Sequence, residues 1–297
     1  MDWLTAYKLP LGRWIKDRVE WLLDHATWAF DIFSDNLDHA TWAFDIFSDN
    51  LDALINGFID LMLWPHPLLM VALFAAIAWW LQRSWKLALL VVLSLLLVIN
   101  LGYWTETIQT LGLVLFSTLV CVLIGIPLGV AAAHRPWLYH ILRPLLDLMQ
   151  TIPTFVYLIP TMIMFGLGVV PGLISTVIFA LPAPVRLTCL GISGVPVNLL
   201  EAGQAFGATR HQQLWKVELP HAMPTIMAGV TQCIMLSLSM VVIASMVGAP
   251  GLGIPVLRAL NTVNIAQGFE AGLAIVVLAI LLDRICRQRD SGAGEPH

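Results

Sequence analysis

Between Leu148 and Val185, and again between Ala222 and Leu257, the chain places not one Asp, Glu, Lys, Arg or His. Uncharged stretches of that length exceed the roughly 17 to 25 residues that a helix needs to cross a bilayer. Apolar runs of spanning character fall near 67–82, 86–102, 107–133, 147–167, 171–191, 223–248 and 270–283, so the sequence predicts about seven transmembrane helices. Hydrocarbon leaves helices or closed barrels as the spanning structures, and runs this apolar do not alternate as barrel strands do. The expected class is therefore an all-α membrane protein. Composition agrees, with 59% hydrophobic and 11% charged residues, against about one quarter charged in a globular domain.

Lys and Arg set the expected orientation, because short cytoplasmic loops hold their excess. Arg83 with Lys86, Arg135 with Arg143, Arg210 with Lys216, and the group Arg284, Arg287 and Arg289 occupy every second connection. The intervening connections contribute only Arg258. This alternation predicts the N-terminus outside, the C-terminus inside, and the segment around residue 210 in the cytoplasm. Met1 to Pro10 has no basic start followed by an apolar run, so no cleavable signal is expected. Cys121, Cys189, Cys233 and Cys286 lie in or beside apolar helices without paired spacing and read as small hydrophobes. His134, His140, His211 and His221 are scattered, so no metal site and no catalytic set is expected.

Three regions follow: an N-terminal amphipathic tail over 1–65, a transmembrane domain over 66–286 and a C-terminal tail over 287–297. LDHATWAFDIFSDN at 23–36 recurs unchanged at 37–50. Two heptads preserve helical phase, so an apolar stripe through Phe30, Phe33, Phe44 and Phe47 continues across the copy, opposite a face of aspartates. Two readings fit, an amphipathic helix on the outer membrane surface or a helix that merely packs.

One segment breaks the apolar monotony: EAGQAFGATRHQQLWKVELP, 201–220, within a loop drawn over 196–222. Asn198 and Glu201 have capping-box spacing, which predicts a short helix. Gly207 suits the left-handed residue that ends it. Thr209 and Gln212 repeat the capping spacing and open a second helix to about Glu218, where Pro220 forbids continuation. Leu214, Trp215 and Val217 supply apolar contacts and Arg210 and Lys216 a basic rim, the anatomy of a docking surface. A capped linker between two spans is the plainer alternative.

The segment resembles the signature loop of ABC importer permeases: Glu-Ala-Ala, three residues, Gly, nine residues, Ile, one residue, Leu-Pro. Here Gly203 replaces the second Ala and Val217 the Ile, with every spacing kept. QTIPTFVYLIP (150–160), IFALPAPVRLTCLGI (178–192) and the stretch 219–253 look like the glycine betaine/proline permease subfamily, over roughly Leu51 to Asp283. The resemblance implies a type I ABC importer permease fold in the bacterial inner membrane. It implies import of compatible solutes such as glycine betaine or proline in osmoprotection, with choline, carnitine or histidine as alternatives. It assigns ATPase coupling to Glu201, Ala202, Gly203, Gly207, Ala208, Leu214, Trp215, Val217, Leu219 and Pro220. The implied partners are a cytoplasmic ATP-binding subunit, a second permease copy and an external solute-binding protein, in surrounding lipid and without nucleic acid. The chain has no Gly-Lys pair and hence no Walker phosphate loop. It is expected to bind no cofactor, leaving ATP and Mg²⁺ to its partner.

Intramembrane ionisable groups, which ion-driven transporters usually need, are missing from the two longest uncharged stretches. That argues against a secondary transporter, while an ATP-independent channel or secondary transporter working alone stays the alternative of a different class. Asp147, Arg186 and Asp283 lie near span ends, where snorkelling is expected. Gln150, Thr154, Tyr157 and Thr161 share one face of a single helix by spacing. They line a solute conduit, or they serve interhelical hydrogen bonds. Pro182 with Pro184, and Gly248, Gly251 and Gly253, are candidate hinges or turn formers.

Overall fold

A computed structural model describes residues 46–286. The repeat at 23–36 and 37–50, the amphipathic tail before residue 46 and the C-terminal tail 287–297 fall wholly or mostly outside it. The chain divides after Asn50, and Leu51 onward forms one compact unit. Helix accounts for 88% of the structure, with no strands among the described residues.

Twelve helices are named here in chain order. They are α1 (Ile46–Leu63), α2 (Pro67–Gln82), α3 (Trp85–Asn100), α4 (Trp104–His134), α5 (Pro136–Thr151) and α6 (Thr154–Phe165). There follow α7 (Val169–Ala180), α8 (Pro182–Ser193), α9 (Val197–Ala205), α10 (Arg210–Val247), α11 (Gly253–Thr262) and α12 (Ile265–Cys286). Each predicted apolar run lies on one or more of these helices. By length and apolarity, α4, the joined α7–α8, α10 and α12 suffice to cross a membrane, and the pairs α1–α2 and α5–α6 would add two, making six. Those pairs bend by 98° and 97°, while α3 is a shorter apolar helix of 16 residues.

Local chemistry explains the breaks. His66 caps α2 by accepting the Leu68 amide at 3.3 Å, with Pro67 in the first turn, where its missing N–H costs nothing. Pro153 forces Ile152 into extended geometry and ends α5. Pro182, a candidate hinge, does not break its span: Leu181 keeps right-handed helical angles and Val169–Ser193 runs as one 25-residue helix. Pro182 follows the single-residue turn at Leu181 that joins α7 to α8.

Burial concentrates on α4 and α10. Leu111 and Val114 of α4 join Ile234, Leu238 and Val241 of α10 and Leu278 and Leu282 of α12 in the largest cluster. Ile55 and Ile59 of α1 are buried against Ile108 and Leu113 of α4 and Leu173 of α7. Residues 51–63 are thus part of this core. Helix α8 lies close to α4 at Gly129, where an added Cβ would stand 2.7 Å from the Val185 carbonyl oxygen. A glycine there lets two backbones touch, the usual device of helix crossings in lipid.

Candidate functional site

Helix α9 leaves the end of α8 through Gly194, Val195 and Pro196, and starts two residues earlier than its sequence signal. Pro196 occupies the N-cap and Asn198 lies inside the first turn, where its Oδ1 accepts only the Leu199 amide, at 3.0 Å. The expected Asn198–Glu201 capping box is therefore not formed. Proline's fixed φ suits a helix start, and it displaces the asparagine from the cap position.

The other end follows the sequence. Gly207 has φ 78°, and the Ala208 amide donates to the Gly203 carbonyl at 3.0 Å while the Gly207 amide donates to Gln204 at 2.9 Å. This nested pair is a Schellman closure, satisfying carbonyls that a helix end would leave open. Two residues on, Thr209 accepts from the Gln212 amide at 3.3 Å and Gln212 Oε1 accepts from the Thr209 amide at 2.9 Å, the predicted capping box. One helix is sealed and the next opened within three residues, which fixes the corner between them.

Pro220 does not stop the second helix. Leu214–Glu218 forms a π turn, with the Leu219 amide bonded to the Leu214 carbonyl, and the helix continues as Leu219–Ala244. A wider turn gives the proline ring room against the preceding carbonyls, so loop and span become a single 38-residue element, α10.

The ten loop residues divide between two surfaces. Leu214 and Leu219 pack on a cluster of Ile192, Ala222 and Ile226 together with Ile126, Val130 and Ala133 of α4. Val217 is partly buried and lies under Gly203, where a Cβ would meet its Cγ2 at 3.7 Å, so alanine would fit. Glu201, Ala202, Gly207, Trp215 and Pro220 are exposed, and Ala208 is half-buried. Trp215 is 59% exposed, with the His211 ring centroid 6.1 Å away. Phe206, which the spacing did not single out, is 93% exposed at the corner. Gln213 is buried, its Nε2 donating to the Leu200 carbonyl at 3.4 Å, and so ties α10 to α9.

The four residues expected on one helical face are divided by the α5–α6 bend. Gln150 ends α5 and is exposed, whereas Thr154, Tyr157 and Thr161 belong to α6. Tyr157 is buried and its hydroxyl donates to the Met149 carbonyl at 2.7 Å, across the bend. Thr161 is buried too, 2.7 Å from Ser175 Oγ of α7. These contacts are interhelical and inter-turn hydrogen bonds. Asp147 and Arg186 do not snorkel separately, since Arg186 Nη2 donates to Asp147 Oδ1 at 2.7 Å between α5 and α8. Cys121, Cys189 and Cys233 are buried free thiols. Among the described residues no group of three His, Cys, Asp or Glu side chains gathers as a metal site would.

A loop sealed in this way beneath a helical membrane unit invites comparison with known transport proteins. Residues 125–287, which include the whole loop, match the family described as binding-protein-dependent transport system inner membrane component. The chain belongs to this family. Among its family relatives, it is 45% identical over 278 residues to the glycine betaine transport system permease protein OpuAB of Bacillus subtilis (strain 168), covering 94% of this chain and 93% of that protein. It is 42% identical over 285 residues to the glycine betaine/proline betaine transport system permease protein ProW of Escherichia coli (strain K12), covering 95% and 76%. To the glycine betaine/carnitine transport permease protein GbuB of Listeria monocytogenes it is 48% identical over 239 residues, covering 78% and 85%. A solved inward-facing MetNI methionine ABC transporter matches with TM-score 0.56 and 25% identity, over 62% of this chain and 94% of that one. The architecture is that of type I ABC importer permeases, and the family places the chain in the inner membrane.

Proposed function

We infer that this chain is the translocation subunit of an ATP-driven importer of glycine betaine and related quaternary amines, with the corner formed by α9 and the start of α10 as the seat of a separate ATPase. The carrying observation is the double closure at 203–212, a Schellman turn followed at once by a capping box. It holds Phe206 and Trp215 exposed on one rigid corner, while Leu214 and Leu219 anchor the same corner to α4 and α8. Exposed aromatic anchors with a basic rim are what a protein partner engages. The alternation of Lys and Arg supports a cytoplasmic position for this corner, with the N-terminus outside.

The chain itself hydrolyses nothing. ATP and Mg²⁺ act on the partner, and a second permease copy and an external binding protein complete the assembly. Glycine betaine is the solute named for all three relatives described above, and the binding protein would decide between it and choline, carnitine or proline. The test is the Phe206→Ala/Trp215→Ala double variant in the assembled transporter. Loss of ATPase co-purification with the membrane unit still folded supports the seat. Retention of the ATPase, or solute uptake by the purified permease without any nucleotide-consuming subunit, overturns it.

A further inference from the structure

Glu218 stands where a carboxylate is costly. It closes the π turn of α10, on the same helical side as Leu214 and Ala222, and is 7% exposed. Its Oε2 lies 2.8 Å from Nε2 of His134, the last residue of α4, and has no aligned hydrogen bond to any described residue. The other ring nitrogen, Nδ1, is 2.9 Å from the Val130 carbonyl oxygen. A carbonyl only accepts, so Nδ1 carries a proton. Nε2 faces Oε2 at 2.8 Å, within reach of a charge pair when the imidazole is protonated.

The placement of this pair is specific. The apolar cluster of Ile192, Ala222 and Ile226, against which Leu214 and Leu219 of the loop and Val130 and Ala133 of α4 all pack, resists separation but is non-directional and permits sliding. A buried carboxylate paired with a cation fixes position, because moving His134 away leaves Glu218 buried without compensation. A π turn is rare and is found frequently at functional sites. Here that side chain meets a helix that the loop does not join in sequence.

We propose that His134 and Glu218 are a positioning pair that locks the π turn to the end of α4, so that a displacement of the loop moves α4 together with α8 and α10. This rests on the coupling role given to the loop above. Glu218 is buried whereas Phe206 and Trp215 are exposed, so the pair acts in transmission rather than in docking.

The test uses the full transporter in liposomes with its ATPase and binding protein, comparing His134→Ala, His134→Lys, Glu218→Met and the His134→Ala/Glu218→Met double. Each is assayed for ATPase co-purification, apparent KM for solute and solute moved per ATP hydrolysed. Both single neutral variants should keep the ATPase and the apparent KM while losing about tenfold in solute per ATP, as expected when a buried pair is broken. The lysine, which restores a cation, should return to within about threefold of the parent, and the double should be no worse than the singles, as coupled neighbours behave. Parent-like transport by both singles, additive losses in the double, or equal behaviour of His134→Ala and His134→Lys overturns the proposal. Should Glu218→Met not assemble, the two His134 variants decide alone, because that side chain is 46% exposed at a helix end. Failure of the coupling reading gives a different signature: the Phe206→Ala/Trp215→Ala variant then keeps its ATPase.

Discussion

Gly203 and Gly207 lie four residues apart and should answer the same substitution in opposite directions. Gly203 is inside α9 with helical geometry, and an added Cβ meets only Val217 Cγ2, at an ordinary 3.7 Å. Gly203→Ala therefore recovers the backbone entropy that glycine loses in a helix, about 0.5–1 kcal/mol. Gly207 has open space around its Cβ position, so no clash contributes, but its φ of 78° is left-handed. There the same methyl group costs about 1–2 kcal/mol. The two variants should differ by about 2 kcal/mol, roughly a thirty-fold change in the ratio of closed to opened turn. Hydrogen exchange reads that ratio directly, through the Phe206, Gly207 and Ala208 amides bonded to Ala202, Gln204 and Gly203. Protection should rise in Gly203→Ala and fall in Gly207→Ala, with Gly207→Asn nearer the parent because asparagine tolerates the left-handed region. Movement of both alanine variants in one direction would refute the backbone argument and show that side-chain contacts control the corner.

Two further outcomes follow from buried hydrogen bonds. Thr110→Val preserves shape but orphans the Leu252 amide, which now donates to Thr110 Oγ1 at 2.8 Å inside the core; thermal unfolding should report a loss of about 1–3 kcal/mol. Tyr157→Phe should cost about 1 kcal/mol by releasing the Met149 carbonyl while leaving the apparent affinity for solute unchanged. A weakened affinity at parental stability would instead place that hydroxyl against the solute.

What the sequence disclosed was set by how far along the chain each cause reaches. The Schellman glycine and the Thr209–Gln212 box depend on residues within one turn of each other, and both were legible. Asn198 misled because Pro196, two positions earlier, is the stronger helix start and took the cap. The prolines could not be read singly. Pro153 ends a helix, Pro182 begins one in line with its predecessor, and Pro220 follows a π turn that accommodates it. The outcome depends on whether the preceding carbonyls can be satisfied or moved aside, which propensity alone does not encode.

Glu218 marks the boundary between the two kinds of knowledge. An acid spaced four residues from Leu214 and four from Ala222 stands on the buried side of its helix, so a partner of complementary charge could have been demanded from periodicity. Periodicity describes one helix at a time, however, and His134 belongs to another. Its own position at the end of an apolar span, beside Arg135 and before Pro136, reads as an ordinary solvated terminus. Only the crossing of α4 and α10 brings the two together. The same crossing sets the loop joining α8 to α10 against a third helix, and apolar packing alone, being non-directional, would hold that register less firmly than a paired buried acid.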